Sequence, residues 1–281
     1  MSNAIQTGIL ADKDHKLTSP AQCTNYLHDN SGLSLYDRIT DSLGIARGTR
    51  DDNAIALIKL AASMEYTSMG SIVIRSGDEM GYSSSQSSAI NWNNLITYSD
   101  LHAYYCNLIQ LRKTISKLTS GSTSSCSDFV FDTTSTDQIA YVINNDGNNQ
   151  WNKIAVMHNN SDSNKWMTLP ATSTDKWVIV ANDESAGFET LKIVSGNSFS
   201  VPVHSSIIAV DAESYCNTDV VSDMRNVIVK YVDEEGNEIK TADVLRGRAS
   251  YSYNYTSIPS AIKNYTLISI DGETSGVYND T

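Results

Sequence analysis

Basic residues are in short supply. The chain has 32 Asp and Glu but only 20 Lys and Arg, a formal charge of −12 at pH 7. Such a field repels a phosphate backbone or an anionic membrane surface, and no Lys/Arg stripe offsets it, so nucleic acid is excluded as a partner. Long apolar runs are also missing. The longest are far too short to span a bilayer, and the first residues show neither the basic nor the apolar stretch of a secretion signal. Cysteine occurs only as Cys23, Cys106, Cys126 and Cys216, none close enough for a CxxC site, which argues against a zinc knuckle or a thioredoxin-type motif. Cys126 and Cys216 bracket a β-rich stretch and either pair or stay as thiols. His15, His102, His158 and His204 are dispersed without HxxxH spacing, and there is no Walker loop, dinucleotide fingerprint or nucleophile elbow, so neither metal nor cofactor is expected.

What is present is hydroxyl-rich. Ser, Asn, Thr and Tyr are heavily used, 19% of residues are charged, 4 are proline, and mean hydropathy is −0.28. That surface suits a bacterial extracellular protein. At ~150 residues per domain, 281 residues hold about two domains and enough chain for a sizeable core.

The chain falls into three stretches. Residues 1–120 read as α/β. Asn25-Tyr26-Leu27 is a short strand, and apolar residues at Ala54, Ile55, Ile58, Ala61 and Ala62 predict a helix over 52–66, with Thr49, Asp51 or Asp52 as cap. Ser71 to Arg75 is a buried strand. A Ser-rich loop runs over 81–88, and a second helix with Ser99 as cap carries the stripe Leu101, Tyr104, Tyr105, Leu108, Leu111 and Ile115. Residues 121–212 hold eight short β runs separated by turn signals such as Asn144-Asn145-Asp146-Gly147, the pattern of an antiparallel sandwich. Trp151, Trp166 and Trp177 are expected to pack its core. After a linker over 211–223, residues 224–281 open with the strand Val227 to Val232 and a hairpin turn at Gly236-Asn237.

Three segments together resemble type I pullulanases, the α-glucan debranching members of the α-amylase superfamily: Ser19-Pro20-Ala21-Gln22-Cys23-Thr24-Asn25-Tyr26-Leu27 to Leu35-Tyr36-Asp37-Arg38-Ile39; Gly70 to Glu79 with Ala89-Ile90-Asn91-Trp92; and Tyr104 to Lys113. The resemblance implies the seventh and eighth strands of a (β/α)₈ barrel with their helices, followed by the family's C-terminal sandwich. Val229 to Ile239, with Ser275-Gly276-Val277-Tyr278, resembles a mucin-binding MucBP repeat of Gram-positive surface proteins. The expected fold is therefore a partial (β/α)₈ barrel, an antiparallel β-sandwich and a small β-rich MucBP-like repeat.

The resemblance also sets expectations about chemistry. A retaining glycosidase needs a nucleophilic carboxylate and a carboxylic acid ~5–5.5 Å apart, and in this family both lie on earlier barrel strands. No matching motif occurs here, so the chain by itself is expected to be inactive. The family also has a sugar-contacting His-Asp pair after its seventh strand, and His28-Asp29-Asn30 looks like it. Ungapped alignment puts that pair at Asn30-Ser31, two residues later. A two-residue shift keeps side-chain parity, so two readings stand: Asp29 supports the transition state with His28 and Asn30 on substrate, or these residues only hydrogen-bond a turn.

Tyr82 is a further stacking candidate in the loop 81–88. Asp78 and Glu79, adjacent in sequence, fit capping better than acid/base work. Tyr251, Tyr253 and Tyr255 alternate and would share one face of a strand, as a glycan-binding row, as core, or as a mixture. The implied partner is an α-glucan or a mucin-type glycan at the cell surface, and an unclosed barrel is expected to self-associate through its edges. The competing reading is a non-catalytic carbohydrate or mucin adhesion module with a degenerate glycosidase tail.

Overall fold

The computed structural model describes residues 8–10, 18–27, 32–85, 89–120, 123–132, 136–145, 150–215, 224–259, 262 and 264–279. Strand β1 (Thr24–Tyr26) pairs in parallel with β2 (Ser71–Val73), Asn25 facing Ile72. Between them lie α1 (Leu35–Ser42) and α2 (Asp52–Tyr66), and α3 (Ser99–Thr114) follows β2. Local chemistry fixes the helix starts. The Ser34 hydroxyl accepts from the Asp37 amide at 3.1 Å, and the Asp51 carboxylate accepts from the Ala54 amide at 2.9 Å. Helix α2 has the predicted bounds, with Asp51 the cap among the candidates. Helix α3 differs: Ser99 is its first residue, and Tyr98 before it makes no side-chain cap. Its last turn carries Arg112 and Lys113, which suit the negative helix end.

All eight β runs of the middle stretch form strands: β3 (Phe129–Asp132), β4 (Gln138–Asn144), β5 (Lys153–Asn159), β6 (Lys165–Thr168), β7 (Lys176–Ala181), β8 (Lys192–Ser195), β9 (Ser198–Val201) and β10 (Ser205–Asp211). Six of them make one antiparallel sheet in the order β3-β4-β5-β10-β7-β8, and β6 pairs with β9 as a second sheet. The central strands are buried on both faces, which explains their nearly continuous apolar runs. One face (Ala140, Val142, Ala155, Met157, Trp177) meets Met167, Phe199 and Val201 of the small sheet. The other (Tyr141, Ile143, Ile154, Val156, Val180, Ile208) shares a single core with Ile55, Ile58, Tyr66, Leu101, Tyr104 and Leu108 of α2 and α3. The apolar helix faces, expected to lie open in an unclosed barrel, are thus covered by the sandwich.

Two tryptophans follow expectation and one does not. Trp151 and Trp177 are fully buried, their indole N–H groups donating to the Tyr215 carbonyl and the Asn197 side chain, each at 3.1 Å. Trp166 lies on the outer face of β6 and is 77% exposed. Its neighbour Met167 takes the inward position, as strand alternation requires.

The last stretch forms β11 (Met224–Val232) and β12 (Glu238–Arg248), a long antiparallel hairpin, and β13 (Ser252–Asn254) paired with β14 (Ser275–Val277). Gly236, at φ +85°, makes the turn. Asp243 to Gly247 of β12 are buried. Thr190 of the sandwich donates its amide to the Arg246 carbonyl, and its hydroxyl accepts from the Arg246 amide, both at 2.8 Å.

Candidate functional site

The loop after β2 is shaped by two left-handed glycines, Gly77 (φ +100°) and Gly81 (φ +64°), around a single 3₁₀ turn at Asp78–Met80. As expected of caps, Asp78 accepts from the Arg75 amide at 3.2 Å and Glu79 from the Gly77 amide at 2.9 Å. A Cβ at Gly77 would stand 2.7 Å from the Tyr82 Cβ, so only glycine lets that side chain fold back. Tyr82 is accordingly 8% exposed, with the Arg75 guanidinium 5.1 Å above its ring. The guanidinium covers one face of the ring.

Ser83 and Ser84 of the same loop serve Asp37. Ser83 donates its hydroxyl at 2.5 Å, and Ser84 donates its amide and hydroxyl at 2.8 and 2.6 Å. Burial pulls the Asp37 pKa up, but these hydrogen bonds outweigh it and hold the carboxyl below its usual range. Two carboxyls here are buried, Glu65 of α2 and Asp78 of the loop. Burial, reinforced by Asp78 and offset by Arg112, pushes Glu65 up to about 8; burial pushes Asp78 up to about 7. Arg112 donates to the carbonyls of Tyr66, Ser68, Gly70 and Leu118, stapling the α2–β2 connection to α3. His158 is fully buried, hydrogen-bonded to the Ser206 hydroxyl at 2.8 Å, and lowered to about 3 by burial, so it is neutral at physiological pH. Among the described residues, no group of three or more His, Cys, Asp or Glu is placed to hold a metal, and no helix is long and apolar enough to cross a membrane. His28, Asp29, Asn30 and Cys216 lie outside the described residues. Cys126 is buried, its thiol 3.8 Å from the Leu10 carbonyl.

The three tyrosines take three environments because β13 spans only Ser252–Asn254. Tyr251 sits in the turn before it and is exposed. Tyr253 is half-buried, its ring 5.3 Å from that of Tyr278. Tyr255 is buried, and its hydroxyl donates to Asp243 and meets the Tyr231 hydroxyl at 2.5 Å. Asp243 also pairs with Lys176 of β7 and accepts from Tyr231 at 2.7 Å. Burial and the Asp243 charge push the Tyr255 hydroxyl far above its ordinary range.

A second concavity was not legible in sequence. A cleft of about 220 Å³ opens where α3, the segment 182–191 and the β11–β12 hairpin meet. Its walls include Asn107, Gln110, Phe188, Glu189, Leu191 and Arg248. The spacing of Asn107 and Gln110 on α3, three residues apart and therefore on one face, was the signal available.

Comparison with known proteins agrees with this architecture. Residues 128–185 match the family model described as pullulanase, all-beta domain, and residues 226–281 match the MucBP domain model. Two stretches of the chain are thus similar to a pullulanase all-beta domain and to a MucBP domain. No curated protein matches by sequence. Among solved structures, the pullulanase from Bacillus acidopullulyticus superposes at TM-score 0.67 and 21% identity, covering 74% of this chain and 26% of that one. The type I pullulanase of Bacillus subtilis, solved with maltose, gives 0.63 and 19%, covering 74% and 31%. The group B Streptococcus pullulanase, solved with maltotetraose, gives 0.62 and 16%, covering 73% and 34%. These likenesses are of fold. The chain spans about a quarter to a third of the length of these pullulanases.

Proposed function

We propose that this chain is the C-terminal part of an α-glucan debranching glycoside hydrolase of the bacterial cell surface, and that by itself it contacts glycan without cleaving it. One observation carries the reading. A parallel strand pair with its helices packs on a six-on-two sandwich, and that arrangement superposes on pullulanases over 74% of the chain. In this reading residues 1–120 are the last portion of a (β/α)₈ barrel, residues 121–212 its C-terminal sandwich, and residues 224–281 the mucin-directed repeat. Solved relatives hold maltose and maltotetraose, so a maltooligosaccharide is the partner proposed for the pullulanase-like part. The MucBP match supports an extracellular site of action and a mucin-type glycan for the repeat. His28, Asp29 and Asn30 are the proposed sugar contacts of the barrel portion.

Hydrolysis needs two carboxyl groups ~5–5.5 Å apart across the scissile bond. Asp78 and Glu79 are spent on amides of their own loop. The purified chain is therefore expected to release no reducing sugar from pullulan. Release that disappears in an Asp29→Ala variant purified identically would overturn this, because a contaminating enzyme would survive the substitution. The β1–β2 pair exposes Tyr26 and Val73 on one face. Self-association is expected there, read as a concentration-dependent sedimentation coefficient that Tyr26→Ser with Val73→Ser abolishes.

A further inference from the structure

We propose that the cleft between α3, the segment 182–191 and the β11–β12 hairpin binds one neutral hexose ring. This rests on the glycan-contacting reading above and adds a site to it. At about 220 Å³ the cleft is smaller than the ~300–1,000 Å³ of pockets for drug-sized ligands, which limits the occupant to something near a single ring.

Its chemistry is divided as a sugar's is. Leu191 and Met224, backed by the buried Val180 and Phe188, give an apolar floor for the C–H face. Asn107 and Gln110 reach it from α3, and among the described residues neither amide has a hydrogen-bond partner. A carboxamide presents a donor and an acceptor side by side, the pair that two neighbouring hydroxyls require. Charge selects against other ligands. Glu189 and Arg248, 3.3 Å apart, cancel one another, so an anion or a cation gains nothing. Gly187, at φ +154°, keeps the wall low: a Cβ there would stand 3.7 Å from the Asn107 amide.

The cleft is also held in shape before any ligand arrives. The Gly187 amide donates to the Val180 carbonyl at 2.9 Å, Tyr215 donates to the Phe188 carbonyl at 2.5 Å, and the Thr190–Arg246 bonds fix the hairpin to the sandwich. Preformed walls spare the ligand the ordering cost that otherwise dominates weak binding.

The test is an NMR titration of the full chain with maltotriose and, in a separate arm, with N-acetylgalactosamine. The side-chain amide signals of Asn107 and Gln110 and the Gly187 amide are expected to shift together and saturate with a Kd of about 1–10 mM. The arm that saturates tells whether a glucan end or a mucin-type unit is the source. Asn107→Ala with Gln110→Ala is expected to weaken binding about tenfold or more with an unchanged melting temperature. Arg248→Met, which removes the guanidinium donors from the cleft wall at an exposed position, provides a second variant with the same expectation of weakened binding. If neither sugar moves these three signals while either moves others, such as the Tyr251 amide, the cleft is not the site although the glycan reading survives. If neither sugar moves any signal, both fail. Saturation that the double variant and Arg248→Met leave intact overturns the cleft alone.

Discussion

Glu65 and Asp78 make the fold prefer acid. Their folded pKa values, about 8 and about 7, lie above the ordinary 4.5 and 3.8 of an unfolded chain. Between those limits the unfolded state gives up protons that the native state retains. The stability these two groups contribute is therefore full below about pH 4 and is lost as pH rises to about 8. The groups facing Glu65 are Asp78, Arg112 and the Tyr66 and Tyr105 hydroxyls. Asp37 acts in the opposite sense. Its lowered pKa gives stability that is present above 3.8 and lost as pH falls through its folded value. Glu65→Gln is expected to flatten the decline in melting temperature from pH 5 to pH 8.5, recovering on the order of 2 kcal/mol at the alkaline end. A wild-type midpoint that rises over that range would refute this assignment.

Tryptophan supplies a second test at the same scale. Trp177→Ala empties a fully buried site and is expected to cost about 3–5 kcal/mol, whereas exposed Trp166→Ala stays within about 0.5 kcal/mol in the same denaturant titration.

Among the elements, β12 is the decisive one because it serves two units. Its residues 243–247 are buried, and Asp243 joins Lys176 of the sandwich to Tyr231 and Tyr255 of the repeat. Removing one member of a buried pair strands the other charge, so Asp243→Ala is expected to cost about 3–5 kcal/mol. The damage should be local: amide exchange rises in β11 and β12 but not in β5. A polypeptide of residues 224–281 alone would bare Val244, which belongs to the shared core. It is therefore expected to melt well below the same residues within the full chain. Gly247 is a finer test of this packing. A Cβ there would come within 2.2 Å of the Tyr278 ring, so Gly247→Ala must displace that ring, at a cost of about 1–3 kcal/mol.

For the molecule as a whole, the shared core of α2, α3 and the six-stranded sheet changes the stability expected of the first 120 residues. An unclosed barrel with a bare helix face would unfold first. Here Ile58, Leu101 and Leu108 lie in one cluster with Val156 and Ile208. The helices and the sheet are thus expected to unfold in a single transition, with exchange protection at Leu108 close to that at Val156. A separate early transition of α2 and α3 would contradict this. The glycan binding proposed above is expected to be insensitive to salt, since no charge attraction to a neutral sugar is screened.

Much of this was readable from residue order. The bounds of α2, all eight strands of the sandwich and the turn at Gly236 follow from short-range rules, since periodicity and caps act within a few residues. The motif from Val229 to Ile239 carried the resemblance to the MucBP repeat, and it lies inside the residues that the MucBP family model then matched. What lay beyond sequence was which side of each element is covered. Alternation says that Trp166 and Met167 point opposite ways, but only the pairing of β6 with β9 over the larger sheet decides that Trp166 meets water. The tyrosine row divided because β13 ended after three residues and Tyr255 was drawn to Asp243, a partner chosen by tertiary packing. The cleft gathers α3, the segment 182–191 and β12 from far-apart parts of the chain. No local rule joins them; only the closure of long loops onto a common core brings them together.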